Sequence, residues 1–319
     1  MTMNRHDTKG IADATGKSFS AHYLAAKKSI DDRALNHFVR QTLRENLHQL
    51  GQEGSEPLQI LEVGAGIGTM FARIVDWQLL PGPATYLATD NDPAQQQAAR
   101  DYLTHWAQQG GYILSWPEQY RALLPTPRGE ISLILATGSI EELSHTAHSI
   151  GPFHLLLAHA VLDLVDATAM LPQLLAQLVP SGLAYLSCNF DGETIFLPPG
   201  EDDKEILRGY HESMETRQTG ASHTGRNLLQ LMHDLDLEIL AAGSSDWVIH
   251  PRNRQYTADE AFFLHAIIDT VAAELARKPD PPAGLLAWAE ARHRQLTFGE
   301  LSFLAKHLDL LARRIKAPP

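Results

Sequence analysis

The residues best suited to chemistry are the run Glu62-Val63-Gly64-Ala65-Gly66-Ile67-Gly68 and, further along, the acid Asp90. A glycine loop between a strand and a helix lets the backbone approach a ligand closely. An acid closing the next strand can accept hydrogen bonds from both hydroxyls of a ribose. Together they describe a site for a nucleoside cofactor. The plainer alternatives are a packing turn for the glycines and a helix cap for Asp90, since Asn91 and Asp92 precede Pro93 and could cap too. After Gly64 and Gly66 the third position of GxGxxG is Thr69, with Gly68 one residue early, which disfavours a pyrophosphate. No GxxxxGK[ST] run occurs either. Glu62, directly before the loop, would repel a phosphate and suit a ligand that carries positive charge.

S-adenosylmethionine has such charge, on its sulfonium and its amino group. At these residues the sequence resembles the class I S-adenosylmethionine-dependent methyltransferases. ILEVGAGIG at 60–68 is similar to their first motif and YLATDND at 86–92 to their second. The resemblance implies that Glu62, Gly64, Ala65, Gly66, Gly68, Asp90 and Asn91 line the cofactor, with Asp90 on the ribose. It continues through ATGSIEEL at 136–143, where Ser139 stands at the family's acidic adenine contact and Ile140 at the adjoining backbone contact. FHLLLAHAVLDLVD at 153–166 and LVPSGLAYLSCNF at 178–190 are similar to the fourth and fifth strands with their turns. The resemblance covers about residues 55–250 and implies methyl transfer.

These residues need an alternating α/β frame. Leu58–Val63, Thr85–Asp90, Ile131–Ala136, Phe153–Ala158 and Leu183–Phe190 read as buried strands, and helical periodicity fills Thr69–Gln78, Pro93–Gln109 and Met170–Leu178. After a helix over Arg226–Leu235, Glu238–Ala242 and Trp247–His250 read as two strands parted by GSSD. That connection is too short for a parallel crossover, so they are expected to be antiparallel neighbours. The fold class is thus α/β: a Rossmann-like, seven-stranded, mostly parallel sheet with one antiparallel strand, helices on both faces, and helical extensions at both ends. Residues 1–54 form an N-terminal helical lid and 55–250 the cofactor-binding core, with 191–225 a substrate-lid insertion. Residues 251–319 form a C-terminal helical extension. There Thr257 with Glu260 is a capping box, and Thr297 with Glu300 repeats it before Leu301, Leu304, Leu308 and Leu311. The terminal helices would pack on the core or on a second subunit, making a homodimer.

Transfer from a sulfonium needs alignment and deprotonation of a nucleophile more than a fixed catalytic set. His159, just past the fourth strand, is the first candidate base and Asp163 the residue to orient it; the alternative is that His159 only lines the cofactor pocket. Tyr23, Arg33, Tyr210, His211 and Arg217 are candidates for the substrate enclosure, the arginines to hold a carboxylate or, more plainly, to make surface salt bridges. Cys188 lies inside a predicted strand and reads as a packed thiol. His145, His148, His154 and His159 fit no helix face and no HExxH pattern, so no metal is expected.

Composition narrows the partners. The 319 residues hold 26 basic and 38 acidic side chains, a formal charge of −12, which speaks against a nucleic acid. A single cysteine suits a reducing compartment. The first residues lack the apolar stretch of a secretory signal, and no apolar run approaches a membrane span, so a cytoplasmic protein with no membrane contact is expected. The expected substrate is a small metabolite. A protein or RNA methyltransferase, a module that binds S-adenosylmethionine without turnover, and an NAD-dependent oxidoreductase are the rivals.

Overall fold

The structure, a computed structural model, describes residues 19–53, 56–138, 152–216, 221–235 and 237–315. The chain opens with α1 (Ala21–Ala34) and α2 (His37–Glu53), then alternates through β1 (Leu58–Val63), α3 (Thr69–Asp76), β2 (Ala84–Asp90) and α4 (Pro93–Gly110). A hairpin of β3 (Ser115–Glu118) and β4 (Arg121–Thr126) leads into β5 (Gly129–Thr137), and β6 (Phe153–His159) follows. Next come α5 (Ala167–Ala176), β7 (Leu178–Leu197), α6 (Asp203–Glu215) and α7 (Thr224–Asp234). The last elements are β8 (Leu237–Ser244), β9 (Trp247–Ile249), α8 (Ala258–Ala276), α9 (Leu285–Thr297) and β10 (Ser302–Arg314).

One sheet runs β3-β4-β5-β2-β1-β6-β7-β10-β8, with β9 also beside β10. Strands β5, β2, β1, β6 and β7 are parallel neighbours, and their apolar runs are buried on both faces at β1, β2 and β6, as a parallel sheet covered by helices requires. The seven expected strands are present as β1, β2 and β5–β9, but the sheet holds ten strands among the described residues, because the β3–β4 hairpin widens it beyond β5 and β10 enters between β7 and β8.

The C-terminus departs most from expectation. Trp247–Ile249 does not turn back on β8; both lie antiparallel to β10, one after the other. The GSSD segment makes no reversal because β10 holds it: Ser245 N–H donates to the His307 carbonyl at 2.9 Å, and His307 N–H to Asp246 Oδ1 at 3.0 Å. Instead of a helix after Thr297 and Glu300, α9 ends there at left-handed Gly299 and the chain becomes β10, which is antiparallel to β7. The C-terminal extension is therefore not wholly helical. The leucine spacing that read as helical is produced by a strand with two bulges, at Ala305/His307 and Leu308/Leu310, which shift the inward face. The Thr257–Glu260 capping box is present at α8. The terminal helices pack within the chain: α8 and α9 share a buried cluster with α1, α6 and strands β7, β9 and β10, built on Tyr23, Phe196, Phe263, Trp288 and Phe303. Much of 191–225 is also structured, as the end of β7 and as α6.

Candidate cofactor and acceptor site

At the carboxyl end of β1 the chain turns through Gly64, Gly66 and Gly68 with φ of 64°, 53° and 80°, all left-handed. That conformation is strained for any residue with a Cβ. The loop is tied to the neighbouring strand: Ala65 N–H donates to the Thr89 carbonyl at 2.9 Å and Gly66 N–H to Asp90 Oδ2 at 2.8 Å. Asp90 Oδ1 accepts from Asp92 N–H at 3.0 Å. The helix cap is Asp92, which accepts from Ala94 N–H at 2.9 Å with Pro93 at the first helical position. The side chain of Asp90 is thereby turned to the glycine loop, and exposed Asn91 sits at the bend. Beside them lies a narrow cleft lined by Ala65, Gly66, Ala88, Ala99 and Leu135 together with Asp90 and Gln95. Gln95 was not legible as a site residue. Its Nε2 donates to the Phe19 carbonyl at 2.7 Å, while its buried Oε1 has no hydrogen-bond partner. A polar residue on the inward face of a helix's first turn is the signal that could have found it.

Glu62 is sealed beneath the loop at 2% exposure and accepts from the Tyr86 hydroxyl at 2.6 Å. Burial pushes its carboxyl up to about 8, helped by nearby Asp90 and opposed by Tyr86 and Arg73. At neutral pH it is therefore mostly protonated, and the standing negative charge inferred from its position develops only when a cation or a higher pH draws the proton off. The linkage has a definite sign. The folded chain keeps this proton to about pH 8 while an unfolded glutamate loses it near 4.5, so stability falls as pH rises through that window. His159 and His307, held near 4 by burial, act in the opposite sense but only below their unfolded value of 6.5. Denaturation midpoints measured from pH 6.5 to 8.5 should accordingly decline in the wild type and decline less in Glu62→Gln. Equal slopes would mean that Glu62 ionises normally.

Helix α1 lies across this end of the sheet. A Cβ at Gly66 would stand 2.9 Å from Leu24 Cδ1, and one at Gly64 would stand 2.5 Å from Val161 Cγ2, so side chains of this chain rest directly on both glycines. Farther along α1, Asp31 reaches the end of β6. His159 places Nε2 3.0 Å from Asp31 Oδ2 and 3.3 Å from the Arg73 guanidinium, and Nδ1 2.9 Å from Ser187 Oγ. Burial, the largest influence, lowers its pKa to about 4, so the ring is neutral. The carboxylate seated against it is Asp31, from a helix far away in sequence. Asp163 sits in a single 3-10 turn, Leu162–Leu164, from which its charge acts on Tyr23 and Cys188. Arg73, 1% exposed, donates from Nε to Asp32 at 2.6 Å and is a member that sequence reading did not single out.

The other candidates scatter. Tyr23 is buried between Phe19 and Phe263, with ring centroids 5.6 and 5.7 Å away. Arg33 pairs with Glu260 of the capping box at 2.7 Å. Tyr210 packs against the α1–α8 cluster, and His211 Nε2 lies 3.1 Å from Thr194 Oγ1. Ser139, Ile140 and Arg217 lie outside the described residues. Cys188 is buried, though beside polar groups, and burial raises its thiol well above the ordinary range. Among the described residues no three His, Cys, Asp or Glu side chains are grouped to hold a metal, and no helix is long and apolar enough to cross a membrane.

No protein-family model matches the sequence, and no curated protein matches it. The solved structures it resembles include several described as methyltransferases. One is a Bacillus halodurans protein described as a methyltransferase, with 12% identity, covering 85% of this chain and 100% of that one at a TM-score of 0.45. Another is the plantazolicin methyltransferase BpumL in complex with SAH, 14% identical over 92% of this chain and 89% of that one, TM-score 0.41. A third is the geranyl diphosphate C-methyltransferase of Streptomyces coelicolor with Mg2+, geranyl diphosphate and S-adenosyl-L-homocysteine. It is 11% identical over 84% of this chain and 76% of that one, TM-score 0.38.

Proposed function

We propose that this protein transfers the methyl group of S-adenosylmethionine to a small molecule. The observation that carries the reading is the pairing of Asp90 with the left-handed glycine loop, beside an apolar cleft. The residues present suit an adenosine: alanines and Leu135 give the cleft an apolar lining, Asp90 retains lone pairs beyond the two backbone hydrogen bonds it accepts, and the orphaned Gln95 Oε1 offers a further acceptor for a ribose hydroxyl. The amino-acid half fits above Gly64 and Gly66 once Val161 and Leu24, which rest on them, are drawn back, with Glu62 beneath to take up negative charge. When bound, the cofactor supplies an electrophilic methyl on a positively charged sulfur.

The chain's own contribution is alignment and exclusion of water. Tyr23, Leu24 and Asp31 of α1 roof the sheet edge, which supports an enclosed small acceptor over a polymer. A base with a pKa of about 4 takes few protons at neutral pH, so His159 serves in this reading as a neutral lining group, oriented by Asp31 and Ser187. The test is donor binding followed by transfer. Asp90→Ala should weaken binding of S-adenosylhomocysteine, measured by calorimetry, by about 1–3 kcal/mol, or roughly 5- to 150-fold. Labelled donor and a metabolite extract should then yield a labelled small molecule with the wild type alone. An unchanged dissociation constant would remove Asp90 from the site, and binding without any labelled product would leave a module that holds the cofactor without turnover.

A further inference from the structure

Asp31 is held by more donors than a helix-tethering ion pair requires. Its Oδ2 accepts from Lys27 Nζ at 2.6 Å and stands 3.0 Å from His159 Nε2 and 3.4 Å from the Arg73 guanidinium. Its Oδ1 accepts from Trp247 Nε1 at 2.9 Å and from the Cys188 thiol at 3.7 Å. Only Lys27 shares α1 with it. Arg73, His159, Cys188 and Trp247 come from α3, β6, β7 and β9, and they converge on a carboxylate that is 2% exposed. Lys27, His159 and Arg73 hold the Asp31 carboxyl well below the usual range against the larger opposing effect of burial.

We propose that Arg73, His159, Trp247 and Cys188 form a carboxylate-binding nest, and that Asp31 fills it as an internal stand-in for the carboxylate of a ligand. The inference rests on the preceding reading only for where that ligand goes. In the proposed opening a ligand at the glycine loop displaces α1, whose Leu24 rests on Gly66 and whose flanking residue Phe19 is tied to Gln95 through its carbonyl. Lifting α1 withdraws Asp31 and Asp32, the acids paired with Arg73, whose guanidinium is 1% exposed with the helix in place. A charge network of this kind is costly to break from one side. An arriving carboxylate restores a partner to Arg73, so opening of α1 and capture of the anion are coupled. Lys27 and Lys28 leave with Asp31 and Asp32, to which they are paired along the helix. Of the cations that touch Asp31, Arg73 alone remains, and one guanidinium matches one carboxylate. Such a group is borne by the amino-acid end of the donor or by the acceptor.

The test uses the full chain carrying Asp31→Ala, with acetate as the carboxylate probe and chloride at equal ionic strength as control. Acetate at about 100 mM should raise the Tm of Asp31→Ala by about 5 °C or more over chloride while leaving the wild type within about 1 °C. The double variant Asp31→Ala with Arg73→Met should lose the response. If Asp31→Ala does not fold in chloride, refolding yield in acetate replaces Tm as the readout. Equal Tm or equal yield in the two salts would overturn the proposal.

The source of the carboxylate is read by comparing S-adenosylhomocysteine with 5′-methylthioadenosine, which lacks the amino-acid end, on the same variant. If the donor fills the nest, acetate weakens the first about tenfold or more and leaves the second unchanged. If the acceptor fills it, acetate affects neither. Failure of both nucleosides to bind would overturn the cofactor reading and leave the acetate result to decide the nest by itself.

Discussion

Truncation after Glu300 is expected to abolish folding. It removes β10, the strand that lies between β7 on one side and β8 and β9 on the other, so the sheet loses its only described path from Leu178–Leu197 to Leu237–Ile249. Leu301, Phe303, Leu310 and Leu311 are each at most 1% exposed. Burying a large apolar side chain contributes about 1.5–3 kcal/mol, so these four account for about 6–12 kcal/mol, as much as the whole net stability of a typical domain. Asp309 goes too, and with it the carboxylate that accepts from Asn36 N–H and Cys188 N–H, both at 2.8 Å. Circular dichroism and denaturant titration of the truncated chain should show no cooperative transition. A C-terminal helix packed on the outside, as the leucine spacing suggested, would instead leave a folded core with a small loss, so a cooperative transition near that of the full chain would contradict the strand.

The second large effect is expected for Arg73→Met. The substitution keeps an apolar stem in the same space and removes the guanidinium that binds Asp32, Asp31 and the Lys28 carbonyl. Asp31 then remains buried with Lys27 as its nearest cation. Breaking a buried charge network from one side costs about 3–5 kcal/mol, because the remaining charge is left desolvated. Lys27 keeps the expected loss toward the lower end of that range. The loss should appear as a lower denaturation midpoint with an unchanged slope. Arg226→Met, which breaks the exposed pair with Asp191, is the control and should leave the midpoint where it is. A loss under about 1 kcal/mol for Arg73→Met would mean that α1 is held by its apolar contacts and that the charges are incidental.

The local part of the site was legible because its determinants are local. Left-handed backbone at three closely spaced positions demands glycine, and these three do lie at the end of a strand buried on both faces, with Asp90 closing the next one. Asp92 as the cap before Pro93, and Thr257 with Glu260 as a capping box, follow from hydrogen bonds within one turn of helix. By contrast, the partner of His159 could not be read. Asp163, one turn away in sequence, was the natural choice, but the carboxylate at 3.0 Å is Asp31, delivered by a helix whose position depends on the packing of Tyr23 and Ile30 against α8 and the sheet edge.

The amino-acid sequence by itself determined the βαβ frame, the glycine loop, the acid at the end of β2 and the cap that starts the helix after it, since each depends on conformational preferences of a few consecutive residues. Only the tertiary structure decided the rest. It made a strand of Ser302–Arg314, because sheet partners on both sides outweigh a leucine spacing that fits a helix equally well. It moved the proton affinity of Glu62 to about 8 by burial that no neighbour in sequence reveals. It gathered Asp31, Arg73, His159, Cys188 and Trp247 around one carboxylate, because residues far apart along a chain meet only where its buried surfaces bring them together.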